Sequence, residues 1–184
     1  MSDVSEILVD KLSERVAFER TGTRLYEALL SKYQDAEDKK GLPDKGRLEL
    51  FQQEELKHFE VVSAAIKRVG GELPIISPAT DLNGSLGMGW MLAITDARTT
   101  FIQALEIVLQ AELVDSASWE ILIELAERQE LADVATQFQE CLNEKEAHIV
   151  TLKQWLQELT LDSQVQDSDQ HQNIILEGNS EVRH

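Results

Sequence analysis

At 184 residues the chain has the length of one domain, enough to bury most of its apolar surface without metal or disulfide staples. It is 42% apolar but only 5% aromatic, with nine glycines and three prolines, which favours helix formers and argues against an all-β fold. Seventeen basic residues face 34 acidic ones, so a net charge of -17 repels phosphate backbones and anionic membranes and disfavours nucleic acid as a partner. The single Cys141 excludes an internal disulfide and any cysteine-built zinc or iron–sulfur site. No apolar run reaches the ~18 residues that span a bilayer, and no basic-then-apolar leader opens the chain, so the expected location is cytoplasmic.

Proline and glycine punctuate helices, and their placement leaves four uninterrupted segments, at about 5–34, 45–69, 92–128 and 130–160. Each carries an apolar stripe at spacings of three and four, as bundle helices do. The first stripe reads Leu12, Val16, Glu19, Thr23, Tyr26, Leu30, and the second Leu48, Phe51, Glu55, His58, Val62, Ala65, Val69. The third reads Phe101, Leu105, Val108, Glu112, Asp115, Trp119, Leu122, Ala126. The fourth reads Leu131, Val134, Phe138, Cys141, Lys145, His148, Leu152, Trp155, Leu159. All four contain ionisable groups near mid-length.

The connections predict the topology. About ten residues around Gly41-Leu42-Pro43 join the first two helices and almost none join the last two, so each pair is expected to form an antiparallel hairpin. Roughly twenty residues from Gly70 to about Gly89 form the middle link, and extended they reach about 65 Å, against about 37 Å for a 25-residue helix. A crossover of that length gives an all-α four-helix bundle running up-down-down-up, over residues 1–161. Residues 162–184 are polar and are expected to form a mobile tail.

The polar stripe residues share one depth. Glu19 and His58 lie 15 and 13 residues from the first bend, while Glu112, Lys145 and His148 lie 16, 15 and 18 from the second. The halves also echo each other, Glu54-Glu-Leu-Lys-His58 aligning with Glu144-Lys-Glu-Ala-His148, as in a duplicated hairpin. Ionised carboxylates in an apolar seam each lose hydration worth several kcal/mol unless paired or bound to metal. Glu55 and His58, three apart, point the same way and can share a metal, with Glu19 supplying a third ligand.

This arrangement resembles the ferritin-like diiron-carboxylate superfamily, which includes rubrerythrins and bacterioferritins, in which two helices supply a Glu each and the other two a Glu-x-x-His motif each. The resemblance covers about 5–160. It implies that Glu19 and Glu112 are the lone glutamates, that Glu55 and His58 form the first motif and that His148 is the histidine of the second. The glutamate of that second motif falls at Lys145. An ammonium there removes a ligand from the second metal and adds a like charge, making a symmetric pair of irons doubtful. Asp115 can replace the missing ligand or pair with Lys145, and Glu144, one position off the stripe, is a weaker substitute.

Two functions follow from one fold. In the first, Glu19, Glu55 and His58 hold one iron or manganese, with a weaker second site at Glu112, Asp115 and His148, and the centre handles ferrous iron or peroxide as a ferroxidase or peroxidase. In the second, Lys145 and the histidines neutralise the carboxylates and the bundle is metal-free, a structural or interaction module. Tyr26, Trp119 and Cys141 read as packing residues, and Gly22 as a point of close helix contact. The extra apolar face of the third helix, with Ile107, Leu113 and Ile121 among others, predicts a homodimer at least.

Overall fold

The computed structural model describes residues 3–36, 39, 41–71 and 78–180, with side chains from 6 to 161 within those ranges except 78 and 79. It holds five helices and, among the described residues, no strand: α1 Asp3–Asp35, α2 Lys45–Arg68, α3 Pro78–Thr95, α4 Phe101–Arg128 and α5 Ala132–Ser180. The boundaries have local causes. The Asp44 side chain caps α2 by accepting from the Gly46 N–H, and Lys67 and Arg68 complement the helix dipole in its last turn. Thr100 and Gln103 form a capping box at the start of α4, each satisfying the other's backbone N–H.

That box corrects the expected third helix. The segment read as 92–128 is two helices, since α3 ends at Thr95 and α4 begins at Phe101. The middle link is likewise largely helical, with Pro78 at the first position of α3, where its missing N–H costs nothing. Gly84, Gly87 and Gly89 lie inside α3, and each disfavours a helix by about 1 kcal/mol relative to Ala, which is why the stretch reads as loop. Packing on α1 outweighs that preference. A Cβ on Gly87 would come within 2.8 Å of Thr21 Oγ1, so the glycine permits close approach, while Trp90 meets Phe18 edge-on at 5.5 Å and Ile94 is fully buried. Residues 72–77 of the link lie outside the described residues.

The α4–α5 connection is as short as expected, three residues with Glu130 at φ 58°. No Pro or Gly interrupts α5 before Gly178, and its backbone stays helical to Ser180, through most of the stretch expected as a tail. Two apolar clusters form the core. One gathers Leu8, Leu12, Val62, Ile66, Trp119, Leu122 and Phe138, and the other Leu25, Leu29, Leu48, Phe51, Leu105, Val108 and Leu152. In α2, α4 and α5 the polar seam residues fall between the segments that feed these two clusters, and in α1 Glu19 lies at their junction, next to Val16 of the first and Phe18 of the second.

Candidate metal centre

The stripes bring the five residues expected at one depth, with Glu55 and Asp115 of the same seams, into a single buried group. Glu19, Glu55, His58, Glu112, Asp115, Lys145 and His148 are each at most 2% exposed. Lys145 sits at the centre. Its Nζ pairs with Glu55 Oε1 and lies 2.6 Å from Asp115 Oδ2, 3.2 Å from Glu112 Oε2 and 3.9 Å from Glu19 Oε2. Burial alone would depress its pKa, but Asp115, Glu112, Glu55 and Glu19 together hold it well above the usual lysine value, so the ammonium is a fixed charge.

Arg15 is a second buried cation, not anticipated from the stripes. Its Nη1 lies 2.6 Å from Asp115 Oδ1 and its Nε 3.5 Å from Glu19 Oε1, with the guanidinium 4.0 Å from the centre of the Phe18 ring. The signal was present, because Arg15 stands three after Leu12 and four before Glu19, on the buried side of α1. Asp115 therefore pairs with Lys145 and Arg15, the second of the two roles open to it.

The two histidines occupy opposite states. Both ring nitrogens of His148 face carboxylates, Nδ1 at 3.1 Å from Glu112 Oε1 and Nε2 at 2.7 Å from Glu54 Oε2. Burial opposes charge there, but these two partners raise the pKa to about 9, so at neutral pH the ring is an imidazolium with no lone pair to offer. His58 donates from Nε2 to Glu144 Oε2 at 2.8 Å. Burial first, then Lys145, pushes its pKa down to about 2, keeping it neutral. Its Nδ1 lone pair thus faces Glu55 Oε1 at 3.7 Å and Glu19 Oε2 at 4.0 Å without a hydrogen bond. Glu144, considered as a ligand, is instead the outer partner of His58, itself held by Lys57 at 2.6 Å. The outer contacts are crossed: Glu54 of α2 holds the histidine of α5, and Glu144 of α5 holds that of α2.

The carboxylates differ just as clearly. Burial and the neighbouring Asp115 raise Glu19 well above the ordinary range, and burial raises Glu55 to about 8 despite Lys145. Burial acts on Glu112 too, but Lys145, His148 and the Tyr26 hydroxyl, which donates to Oε1 at 2.5 Å, bring it down to about 2. Tyr26 is therefore tied to the polar group rather than only packed. Trp119 packs edge-on against His58 at 5.8 Å, and the buried Cys141 thiol is pushed up to about 12, chiefly by burial, which leaves it inert.

Two sets of three donors lie with their ligand atoms within 4.8 Å of one another: Glu19, Glu55 and His58, and Glu55, Glu112 and His148. Only the first fits a metal. Both Glu19 oxygens and His58 Nδ1 are buried without a hydrogen bond, an arrangement that a cation would satisfy. In the second set both ring nitrogens of His148 are taken up by Glu112 and Glu54, so the set lacks a free nitrogen donor; the Lys145 ammonium reaches the carboxylates of both sets alike.

Comparison of the sequence with protein-family models and with curated proteins finds no match. Among solved structures, the chain is similar to a ferritin-like, diiron-carboxylate protein from Bacillus anthracis str. Ames, with 18% identity, a TM-score of 0.64 and coverage of 85% of this chain and 99% of that one. It is also similar to a protein from Xanthomonas campestris pv. campestris str. ATCC 33913, with 17% identity, a TM-score of 0.70 and coverage of 90% and 99%. The chain has the ferritin-like fold, and its Glu/His groups fit a metal-binding helical bundle. Among the described residues no helix is long and apolar enough to cross a membrane.

Proposed function

We propose that the protein binds one divalent transition metal, ferrous iron or manganese, through Glu19, Glu55 and Nδ1 of His58, and that Lys145 stands in for a second metal. The observation that carries this reading is the buried, unpartnered Nδ1 of a neutral His58, aimed at two carboxylates while Glu144 anchors the other ring nitrogen. A ligating histidine held by an outer carboxylate is a common metal-site arrangement. Oxygen and nitrogen donors of this kind suit iron and manganese.

Charge accounting supports one ion over two. With every carboxylate ionised, Glu19, Glu55, Glu112 and Asp115 face Lys145, Arg15 and the His148 imidazolium and leave one negative charge among these buried groups; in the metal-free state the raised Glu19 and Glu55 hold protons. One divalent ion in place of those protons leaves a single positive charge, whereas two would leave three in a buried volume.

A metal held by Glu19, Glu55 and His58 would supply redox chemistry towards ferrous iron or peroxide. Around it Glu19 gives up its proton to become a ligand, Lys145 and Arg15 hold the remaining carboxylates, and Glu144 keeps His58 in the ligating tautomer. The contacts of Lys145 with all four carboxylates favour a second reading, a metal-free bundle in which the ammonium replaces the metal function altogether.

Metal per chain by elemental analysis, after anaerobic loading with ferrous iron or manganese and desalting, separates the two. About one ion per native chain, lost in Glu55→Ala and rising towards two in Lys145→Glu, is the expected result. No retained metal in the native protein establishes the metal-free reading.

The same reading includes the path of the chain. Residues 8–16 of α1 share a cluster with 119–126 of α4 and 134–142 of α5, and 25–30 share the other with 101–111 and 152, which supports an up-down-down-up bundle with α3 as the crossover. It also includes a cytoplasmic homodimer. Leu113, Val114 and Ile121 on α4 and Leu82, Leu86 and Leu92 on α3 are large apolar side chains left exposed.

A further inference from the structure

We propose that Gly22 is a positioning residue of the metal centre: its missing Cβ is what lets the Glu55 carboxylate point at Lys145 and at the open side of His58. The inference rests on the metal-binding reading above and assigns a role to a residue that donates no ligand. Gly22 is buried in the middle of α1, where glycine is about 1 kcal/mol less favourable than alanine, so its presence asks for a reason.

The reason is steric. A Cβ built on Gly22 would overlap Glu55 Oε2 and would lie 3.3 Å from Glu55 Cδ and 3.9 Å from Cγ, with nothing else as near. The far end of one side chain would have to give way, which costs the fold little and the site much. Glu55 has nowhere to retreat without breaking its contacts. Oε1 is held by Lys145 and faces Nδ1 of His58 at 3.7 Å and Nδ1 of His148 at 3.6 Å. A cavity of about 10 Å³, about the size of one water, lies against Glu55 and is bounded by Gly22 itself with Tyr26, Glu112 and Lys145. An alanine Cβ fills that space too. The carboxylate must then leave the position in which it converges with Glu19 and His58.

The test uses the full chain as Gly22→Ala, Glu55→Asp and the double variant, with three readouts: urea midpoint, metal affinity for manganese and ferrous iron, and the crystal structure without metal. Gly22→Ala is expected to keep or raise the urea midpoint, weaken metal binding at least tenfold and show the Glu55 carboxylate displaced from Lys145. The shorter aspartate relieves the overlap, so adding Gly22→Ala to Glu55→Asp is expected to change affinity less than threefold. Should Gly22→Ala fail to fold, the double variant is expected to fold. Native affinity in Gly22→Ala, an unmoved Glu55, equal losses from Gly22→Ala in both backgrounds, or a double variant that also fails to fold each overturns the proposal. If native protein holds no metal, the reading of function fails, while the position of Glu55 in the metal-free variant still decides the role of Gly22.

Discussion

Lys145 meets four carboxylates with one ammonium, and among the described residues these are otherwise offset by Arg15 and His148. Removing one partner of a buried ion pair strands the others, at a cost of roughly 3–5 kcal/mol. Lys145→Met is therefore expected to lower the stability of the metal-free protein by about that amount, read from urea unfolding, and added manganese should recover much of the loss. Glu144 acts one shell further out. Glu144→Gln leaves the donor atoms in place but weakens the anchor of His58, and a fall in metal affinity of roughly 10- to 100-fold is expected by isothermal titration.

The same residues set a pH dependence. Glu55, raised to about 8, and His148, raised to about 9, bind protons more tightly folded than unfolded, so the stability they contribute is present at low pH and is lost as pH rises through those values. Glu112 and His58, both lowered to about 2, work in the opposite sense, but their contributions are lost only as pH falls below their unfolded values of 4.5 and 6.5. Above pH 6.5 the first pair acts unopposed. The urea midpoint of the metal-free protein is expected to fall between pH 6.5 and 9, by on the order of a few kcal/mol in stability, whereas a flat profile over that range would show that neither Glu55 nor His148 holds an extra proton in the fold.

Among the elements, α3 and α4 depend on the break between them. The capping box of Thr100 and Gln103 starts α4 where the apolar pattern alone would have run on from 92. Thr100→Ala removes the side-chain acceptor for the Gln103 N–H, and a loss of about 1 kcal/mol is expected from thermal or urea unfolding. The absence of Pro and Gly from 92 to 128 predicts one helix, whereas the side chains of Thr100-Phe-Ile-Gln103 cap a new start within it. The glycines of α3 misled in the other direction. Local preference reports the isolated helix, and only the face of α1 that receives Gly87, Trp90 and Ile94 makes that helix stable.

For the whole molecule, the exposed apolar residues on α3 and α4 ask for cover. Leu92 is 74% exposed, Leu82 62% and Ile121 52%, on two helices that pack against each other. Size-exclusion chromatography with light scattering at micromolar concentration is expected to give a dimer. Ile121→Glu, which adds a charge to that surface, is expected to give monomer with an unchanged helical spectrum; a native monomer would remove the homodimer from the reading.

What the amino-acid sequence determined by itself was the set of long amphipathic helices and the depth of their polar residues. Both depend on the 3.6-residue period and on counting from the bends, which need no knowledge of neighbours. Glu19, Glu55, His58, Glu112 and His148 met in one layer for that reason, and Lys145 stood out as the residue of the wrong sign. Tertiary structure alone decided which of these groups can act. Protonation states depend on what each atom faces across the bundle, so two histidines in equivalent motifs became a neutral ring with a lone pair and a saturated imidazolium. Arg15 and Gly22 acquired their roles in the same way, one by closing a charge balance and the other by leaving room for a carboxylate.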